Sequence, residues 1–142
     1  MNGMAKIAAA YLRQAASRLK DAEEALEEGN HPYSLRLSQE CVELSLKTSL
    51  RLVGVEYPKI HDVSGILSRV AEKFPEWFRR ELERLCETSR ILASKREVAF
   101  YGSEEEHRTP EEIIGREEAE DALDRAKKVY QLCNRLLLEY RP

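Results

Sequence analysis

The stretch PYSLRLSQECVELSLKTSLRLV, residues 32–53, decides the fold. Its apolar residues recur at three- and four-residue steps, which is the spacing of an α-helix, but they form two stripes rather than one. One stripe is Leu37, Cys41, Leu44 and Thr48, and the other is Leu35, Val42, Leu46, Leu50 and Val53. A helix that is apolar on two sides is normally packed between neighbours. We therefore predict a central helix from Pro32 to Val53.

Helical patterns also fill the chain on either side of this helix. We predict a first helix from Met4 to Glu28, a short one from Val63 to Lys73 capped by Asp62, a fourth opening at Pro75, and a last one starting at the capping box of Thr109, Pro110 and Glu112. No window alternates with period two, so no sheet is expected. Short loops between long helices make neighbours antiparallel. The predicted fold is all-α, an up-and-down antiparallel bundle of four long helices plus one short helix, forming a single domain over residues 1–142.

Composition narrows the class of protein. A net charge of -3 does not suggest a general polyanion-binding protein. Three widely spaced cysteines, Cys41, Cys86 and Cys133, form no CxxC pair and have no histidine at ligand spacing, so we expect no metal and a reducing compartment. The first apolar run is too short for a signal peptide, and no window approaches a membrane span. We expect a cytoplasmic protein without a membrane partner.

The predicted central helix keeps one narrow polar stripe, which is Arg36, Gln39 with Glu40, Glu43 and Lys47. Two interpretations remain open. Either Glu43 and Lys47 form an ordinary i,i+4 ion pair on a wet face, or the stripe lines a cleft. His61, which precedes the next helix, is expected to make a local hydrogen bond.

The segment ASKREVAFYGSEEEHRTPEE, residues 93–112, leaves the helical pattern with Arg96, Tyr101 and His107 in it. The chain has no glycine-rich phosphate loop, no Gly-x-Ser-x-Gly elbow and no Glu-x-x-His pair for a di-iron site. Phosphate would therefore be held by side-chain cations, and arginine is the best bidentate donor. Arg96, near the end of the fourth predicted helix, is the natural candidate.

Two segments resemble the HEPN family, the higher-eukaryote and prokaryote nucleotide-binding domains. They are SLRLSQECVELSLKTSLRLVGVEYPKIHDVSGIL, Ser34 to Leu67, and KREVAFYG, Lys95 to Gly102. The resemblance extends from about Ala8 to Leu138. It implies a homodimer in which the arginine segments of two subunits face a shared groove. We expect no cofactor. The resemblance also implies a minimal nucleotidyltransferase as partner, in a toxin–antitoxin-like module.

The sequence departs from the nuclease members of that family at one position. The nuclease members carry a motif of an arginine, four to six residues and then a histidine. In this sequence the residue that follows Arg96 after four intervening residues is Tyr101. A phenol with a pKa near 10 is a poor base at neutral pH, although it can hydrogen-bond or stack. His107 lies too far along the chain for the motif.

Three functions follow from these residues and the resemblance. The leading hypothesis is a homodimer that binds a nucleotide or RNA through Arg96, Tyr101, Glu40, Glu43 and Lys47. The second is a metal-independent RNase toxin, with Arg96 and Tyr101 as the catalytic candidates. The third is a helical interaction module without a small ligand, in which Arg96 merely pairs with Glu97 or with Glu104–Glu106 and orders the loop.

Overall fold

The computed structural model describes residues 3–57 and 59–140, and seven α-helices run through this part of the chain. They are α1 (Gly3–Glu27), α2 (His31–Leu52), α3 (Ser64–Arg69), α4 (Glu76–Arg79), α5 (Leu82–Tyr101), α6 (Pro110–Ile113) and α7 (Arg116–Glu139). Within the described ranges the chain forms no strand, only an isolated bridge between Ser103 and Arg108. The prediction of an all-α fold with four long helices is confirmed, and three short helices accompany them where one was expected.

Helix α2 is the centre of the bundle, because it packs against α1, α5 and α7. Both of its predicted apolar stripes face the core, although Leu44 and Val53 are only partly buried. Leu37 and Cys41 represent one stripe, and Leu35, Leu46 and Leu50 represent the other. Full burial of a leucine side chain stabilises a fold by about 1.5–3 kcal/mol. The central position of α2 is therefore confirmed, and its narrow polar stripe is left between the flanking helices.

The prediction of one continuous fourth helix from Pro75 onward is wrong. The chain turns at Arg80 and Glu81, which separates the four-residue α4 from α5. Both residues are good helix formers, so local propensity does not cause the break. Phe78 does, since it is fully buried with its ring centroid 4.6 Å from that of Phe74. The irregular segment also begins later than predicted, because α5 continues through Tyr101 and carries Arg96 within its last turns.

The capping box at Thr109 is confirmed, but the helix it starts is short. The Thr109 hydroxyl accepts the Glu112 N–H at 3.2 Å, and the Glu112 carboxylate accepts the Thr109 N–H at 3.2 Å. Ile114 then adopts extended backbone and is 1% exposed. Burial of this side chain outweighs continuation of the helix, so the long final helix α7 begins only at Arg116.

The other predicted boundaries are close to the observed ones. The helix expected over Val63–Lys73 ends at Arg69 and is followed by a 3-10 turn, Ala71–Lys73. The Asp62 carboxylate accepts the Ser64 N–H at 3.0 Å, so it serves the start of α3 although Val63 stands at the cap position. Asp62 also accepts the Ser89 hydroxyl at 2.8 Å, which ties the start of α3 to α5.

Candidate functional site

Three arginines from three helices meet at the carboxylate of Glu40. The distances to its oxygens are 3.0 Å from Arg18 Nε, 3.6 Å from Arg36 Nε and 3.0 Å from Arg96 Nη1. Arg18 lies on α1, Arg36 on α2 and Arg96 on α5, so the packing of α1 and α5 on α2 assembles the group. We call these four residues the Glu40 cluster. All four side chains are only partly buried, which leaves the guanidinium groups within reach of a solute.

Arg96 is fixed to α2 by a second bond. Its Nη1 also donates to Gln39 Oε1 at 2.7 Å, and Gln39 is 1% exposed. A buried amide oxygen costs about 1–3 kcal/mol when its donor is removed, so Arg96 has a structural share in the α2–α5 contact. The predicted alternative of pairing with Glu97 or with Glu104–Glu106 is wrong, because the carboxylate partner of Arg96 is Glu40.

Gln39 connects this network to Glu43. The Gln39 amide Nε2 donates to Glu43 Oε1 at 3.0 Å, and Lys47 Nζ donates to Glu43 Oε2 at 2.9 Å. The i,i+4 pair of Glu43 and Lys47 was predicted and is present, but both side chains are largely buried rather than on a wet face. The polar stripe of α2 therefore lines the contact with its neighbours.

His61 joins the same carboxylate from the loop before α3, with its Nδ1 2.7 Å from Glu43 Oε1. The bond reaches 18 residues along the chain, so the expectation of a local hydrogen bond is wrong. Burial alone would raise the pKa of Glu43, but hydrogen bonds from Gln39, Lys47 and His61 outweigh it and hold that pKa below 4.5. Because an ionised carboxylate only accepts, the Nδ1 of His61 carries the proton. We call Gln39, Glu43, Lys47 and His61 the Glu43 cluster.

The lowered pKa of Glu43 predicts how the free energy of unfolding changes with pH. A group whose pKa is lower in the folded state contributes stability above its unfolded pKa, and this stability is lost as the pH falls through the folded value. Glu43→Gln is expected to lower the free energy of unfolding by about 1–2 kcal/mol at pH 7 and to flatten its decline below about pH 4.5. Urea titrations between pH 3 and 7 measure both effects.

Asp124→Asn is the matched control, because Asp124 forms an i,i+4 pair with Lys128 in which both side chains are 70% exposed. Such a surface pair contributes little, so this variant should follow the wild-type curve at every pH. Equal losses in the two variants would show that Glu43 has no special role.

A family model describes most of the chain. The model of the HEPN domain matches residues 8–136. The chain belongs to the HEPN family. The fold agrees with two solved structures: TT1696 from Thermus thermophilus has a TM-score of 0.73 at 24% identity, covering 90% of this chain and 96% of its own. ST0689, an archaeal HEPN homologue, has a TM-score of 0.71 at 19% identity, covering 92% and 97%. A search of curated proteins finds no significant match.

In this HEPN domain Arg96 lies on α5, which ends in two exposed aromatic residues. Phe100 is 38% exposed, and the guanidinium carbons of Arg36 and Arg96 lie 4.1 and 5.0 Å from its ring centroid. Tyr101 is 65% exposed, with its ring centroid 5.7 Å from that of Phe100. Of the residues predicted from sequence, Glu40 and Arg96 meet in one cluster and Glu43 and Lys47 in the next. Tyr101 contacts Phe100, and among the described residues no side-chain hydrogen bond joins it to either cluster.

His107 does not join the clusters. It lies in the loop after Gly102, exposed and at a φ of 57°. The side-chain hydrogen bonds of the described residues connect His61, and not His107, to the network that holds Arg96.

Sequence reasoning missed Arg18 and Phe100, although the chain signals both. Arg18 and Glu40 each lie eleven positions from Gly29, which ends the first helix, and residues equidistant from a short antiparallel turn come to face each other. Phe100 stands four positions after Arg96, the step that places two side chains on one face of a helix.

Neither a metal nor a reactive thiol is indicated in the described part of the HEPN domain. Residues 3–57 and 59–140 contain no group of three or more His, Cys, Asp or Glu that could hold a metal ion. All three cysteines are free and buried. Burial raises the pKa of Cys41 to about 12 and that of Cys133 further still, so these thiols stay protonated. In the same ranges no helix has the length and apolar character needed to cross a membrane.

Proposed function

We propose that this HEPN domain binds a nucleotide or RNA through the Glu40 and Glu43 clusters. The observation that supports the proposal is the excess of cations. Four cationic side chains, those of Arg18, Arg36, Arg96 and Lys47, face the two carboxylates Glu40 and Glu43. Two positive charges are left over, and three of the four cations are arginines. A guanidinium donates in a fork that fits phosphate bidentately, so a phosphate is the anion that this arrangement suits best.

The aromatic end of α5 supports the same proposal. A base can stack on the exposed phenol ring of Tyr101 while its phosphate lies at Arg96, five positions earlier on the helix. Stacking on an aromatic ring contributes about 1–3 kcal/mol per base and tolerates any base. Tyr101 therefore serves as a binding residue in this proposal.

RNA cleavage is the second candidate, and the Glu43–His61 pair is the observation that favours it. The Glu43 carboxylate orients the ring of His61 through Nδ1, which leaves Nε2 as the nitrogen that can exchange a proton with a substrate. If the protein cleaves RNA, His61→Ala should abolish cleavage and His107→Ala should not. If the wild-type protein leaves RNA intact, cleavage is contradicted and binding without cleavage remains as the proposed function.

The binding proposal is tested by ligand-dependent stability. A ligand that binds only the folded state at a hundred times its Kd raises stability by about 2.7 kcal/mol. We expect ATP, another nucleotide or a short RNA to raise the midpoint of thermal unfolding at millimolar concentration. Absence of any shift would contradict the proposal and favour an interaction module.

We also propose that the protein works as a homodimer with a minimal nucleotidyltransferase partner in the cytoplasm. Membership of the HEPN family supports the homodimer and the nucleotidyltransferase partner. The three free buried thiols support a reducing compartment such as the cytoplasm. The side chains of the Glu40 cluster are partly exposed, so a second copy could complete a groove over them. Light scattering at micromolar concentration should give twice the chain mass, and a monomer would remove the shared groove.

A further inference from the structure

Most of the negative charge of the chain is concentrated in three short segments. Residues 20–28, 104–112 and 116–124 contain fifteen carboxylates and three basic residues, which gives them a net charge of -12. The other residues contain eleven carboxylates and twenty basic residues, a net charge of +9, and the two values add to the -3 of the whole chain. The modest net charge of the protein therefore conceals a strong separation of charge.

The fold brings the three acidic segments to one end of the bundle. Glu23 near the end of α1 lies 3.3 Å from Lys127 of α7, and Glu118 in the first turn of α7 lies 3.7 Å from Lys95 near the end of α5. The segment 104–112 lies between the end of α5 and the start of α7. Nine of the fifteen carboxylates have no ion-pair partner among residues 3–57 and 59–140. They are Asp21, Glu24, Glu27, Glu28, Glu104, Glu105, Glu111, Glu112 and Glu117.

Helix stability accounts for the carboxylates of α7 but not for those of α1. Glu117 and Glu118 lie in the first turn of α7, where the helix dipole favours an anion. Glu24, Glu27 and Glu28 lie in or just after the last turn of α1, where the dipole disfavours an anion, and this turn contains no basic residue. These three charges therefore oppose the helix that carries them. Residues that break a local rule in this way are expected at functional sites.

A groove with an apolar floor lies between the end of α1 and the first half of α7. Its volume is about 480 Å³, and its apolar lining is Leu26, which is half-buried, and Leu123, which is buried. No residue of this groove belongs to the Glu40 cluster or to the Glu43 cluster. Its charged lining consists of four carboxylates and one lysine, which are Glu117, Glu120, Asp121, Asp124 and Lys127.

We infer that this acidic groove is the docking surface for a basic amphipathic helix of a partner protein. An apolar side chain of the partner lies over Leu26 and Leu123, and its lysines and arginines meet the carboxylates of α1 and α7, as when an amphipathic helix binds in a groove. Complementary charge of this kind speeds association and disfavours wrong partners. A nucleic acid is repelled from the same surface, because its phosphates carry the same sign of charge.

The apolar floor favours a polypeptide over a metal ion or a polyamine, because neither of these has a branched apolar side chain to bury there. The inference does not depend on the proposed function, since the two surfaces share no residue.

Two labelled peptides of identical composition test the docking surface by fluorescence anisotropy with the full chain. Both contain lysines and leucines over about fourteen residues, but only one has its leucines at the i, i+3, i+4 and i+7 positions of one helix face. We expect this amphipathic peptide to bind about tenfold more tightly, because burial of a single leucine contributes that much. Its affinity should fall as salt rises, since exposed charges are screened.

Equal affinity of the two peptides would overturn the role of the groove. Spermidine that displaced the amphipathic peptide at an equal concentration would overturn the assignment of the partner as a polypeptide.

Two double variants with the same change of charge separate the groove from the overall charge. Glu117→Gln with Glu120→Gln removes two carboxylates from the lining of the groove. Glu104→Gln with Glu105→Gln removes two exposed carboxylates from the loop after α5, which does not line it. The first pair should weaken binding of the amphipathic peptide about tenfold, and the second about twofold at most. Equal losses would mean that the peptide responds only to net charge, and would overturn the docking surface.

Glu24→Gln with Glu27→Gln tests whether α1 keeps its carboxylates at a cost in stability. This variant should raise the midpoint of thermal unfolding, because it removes anions from the unfavourable end of the helix dipole, and it should weaken binding of the amphipathic peptide. A lowered midpoint, or unchanged peptide affinity, would overturn the inference. Arg96→Ala should bind the peptide as the wild type does, so failure of this inference is distinguishable from failure of the proposed function.

Discussion

Gly102→Ala is expected to lower the free energy of unfolding by about 3 kcal/mol, from two separate causes. Gly102 ends α5 with a φ of 66° and a ψ of -140°, a conformation that is almost restricted to glycine and costs other residues about 1–3 kcal/mol. An added Cβ would also collide with the Arg108 carbonyl oxygen and lie 2.8 Å from Pro110 N. The neighbours are backbone atoms rather than a flexible side chain, so relief requires the loop to move, and such overpacking costs about 1–3 kcal/mol.

Gly65→Ala is the matched control for this variant. Gly65 lies within α3, and a Cβ built there meets no atom within 4 Å. Alanine in a helix is favoured over glycine by about 0.5–1 kcal/mol, so this variant should be slightly more stable than the wild type. Urea unfolding at pH 7 measures both. A Gly102→Ala midpoint equal to that of the wild type would show that the loop is not packed against the end of α5.

The Gly102 turn also matters for the site. Ser103 and Arg108 exchange two backbone hydrogen bonds of 2.9 Å, which fold the loop back at the end of α5. Because Phe100 and Tyr101 are the residues just before this turn, a displaced loop would disturb the aromatic end of the helix. We therefore expect Gly102→Ala to weaken nucleotide or RNA binding as well as stability.

The sequence was sufficient for features that rest on local or periodic signals. Two apolar stripes on residues 32–53 predicted a central α2, and Thr109 with Glu112 predicted a capping box. The helix breaks at Glu81 and Ile114 were not predictable in this way, because they are set by burial of Phe78 and of Ile114 itself in the assembled core. Local propensity at Arg80 and Glu81 favours an unbroken helix.

The contacts of the candidate site show the same difference between local and long-range features. The pairing of Glu43 with Lys47 was predicted from an i,i+4 spacing, and the partner of Arg96 was not. Arg96 meets Glu40 across 56 positions of the chain, and His61 meets Glu43 across 18. Contacts between helices depend on their rotation about their own axes, which a single sequence leaves open. The place of Tyr57 over Lys47 and Arg51 depends in addition on the path of a loop.

Arg96→Ala should weaken binding of a nucleotide or short RNA by about tenfold to a hundredfold, because hydrogen bonds to charged groups contribute about 1.5–3 kcal/mol. The same change removes the donor to buried Gln39, so some loss of stability is also expected. Arg96→Lys keeps the charge but loses the planar fork, and its affinity should fall between those of the wild type and the alanine variant.

Arg125→Ala supplies the control that separates binding from stability. Arg125 resembles Arg96 in burial, with side chains 28% and 22% exposed, and it too bridges two helices, from α7 to Thr88 on α5. Its carboxylate partners, Asp121 and Glu87, place it outside the Glu40 cluster. Both alanine variants should lose stability to a similar degree, yet only Arg96→Ala should lose affinity when each is assayed well below its unfolding midpoint. Equal affinities for the two would mean that Arg96 only holds α5 to α2, and the phosphate would then have to bind elsewhere.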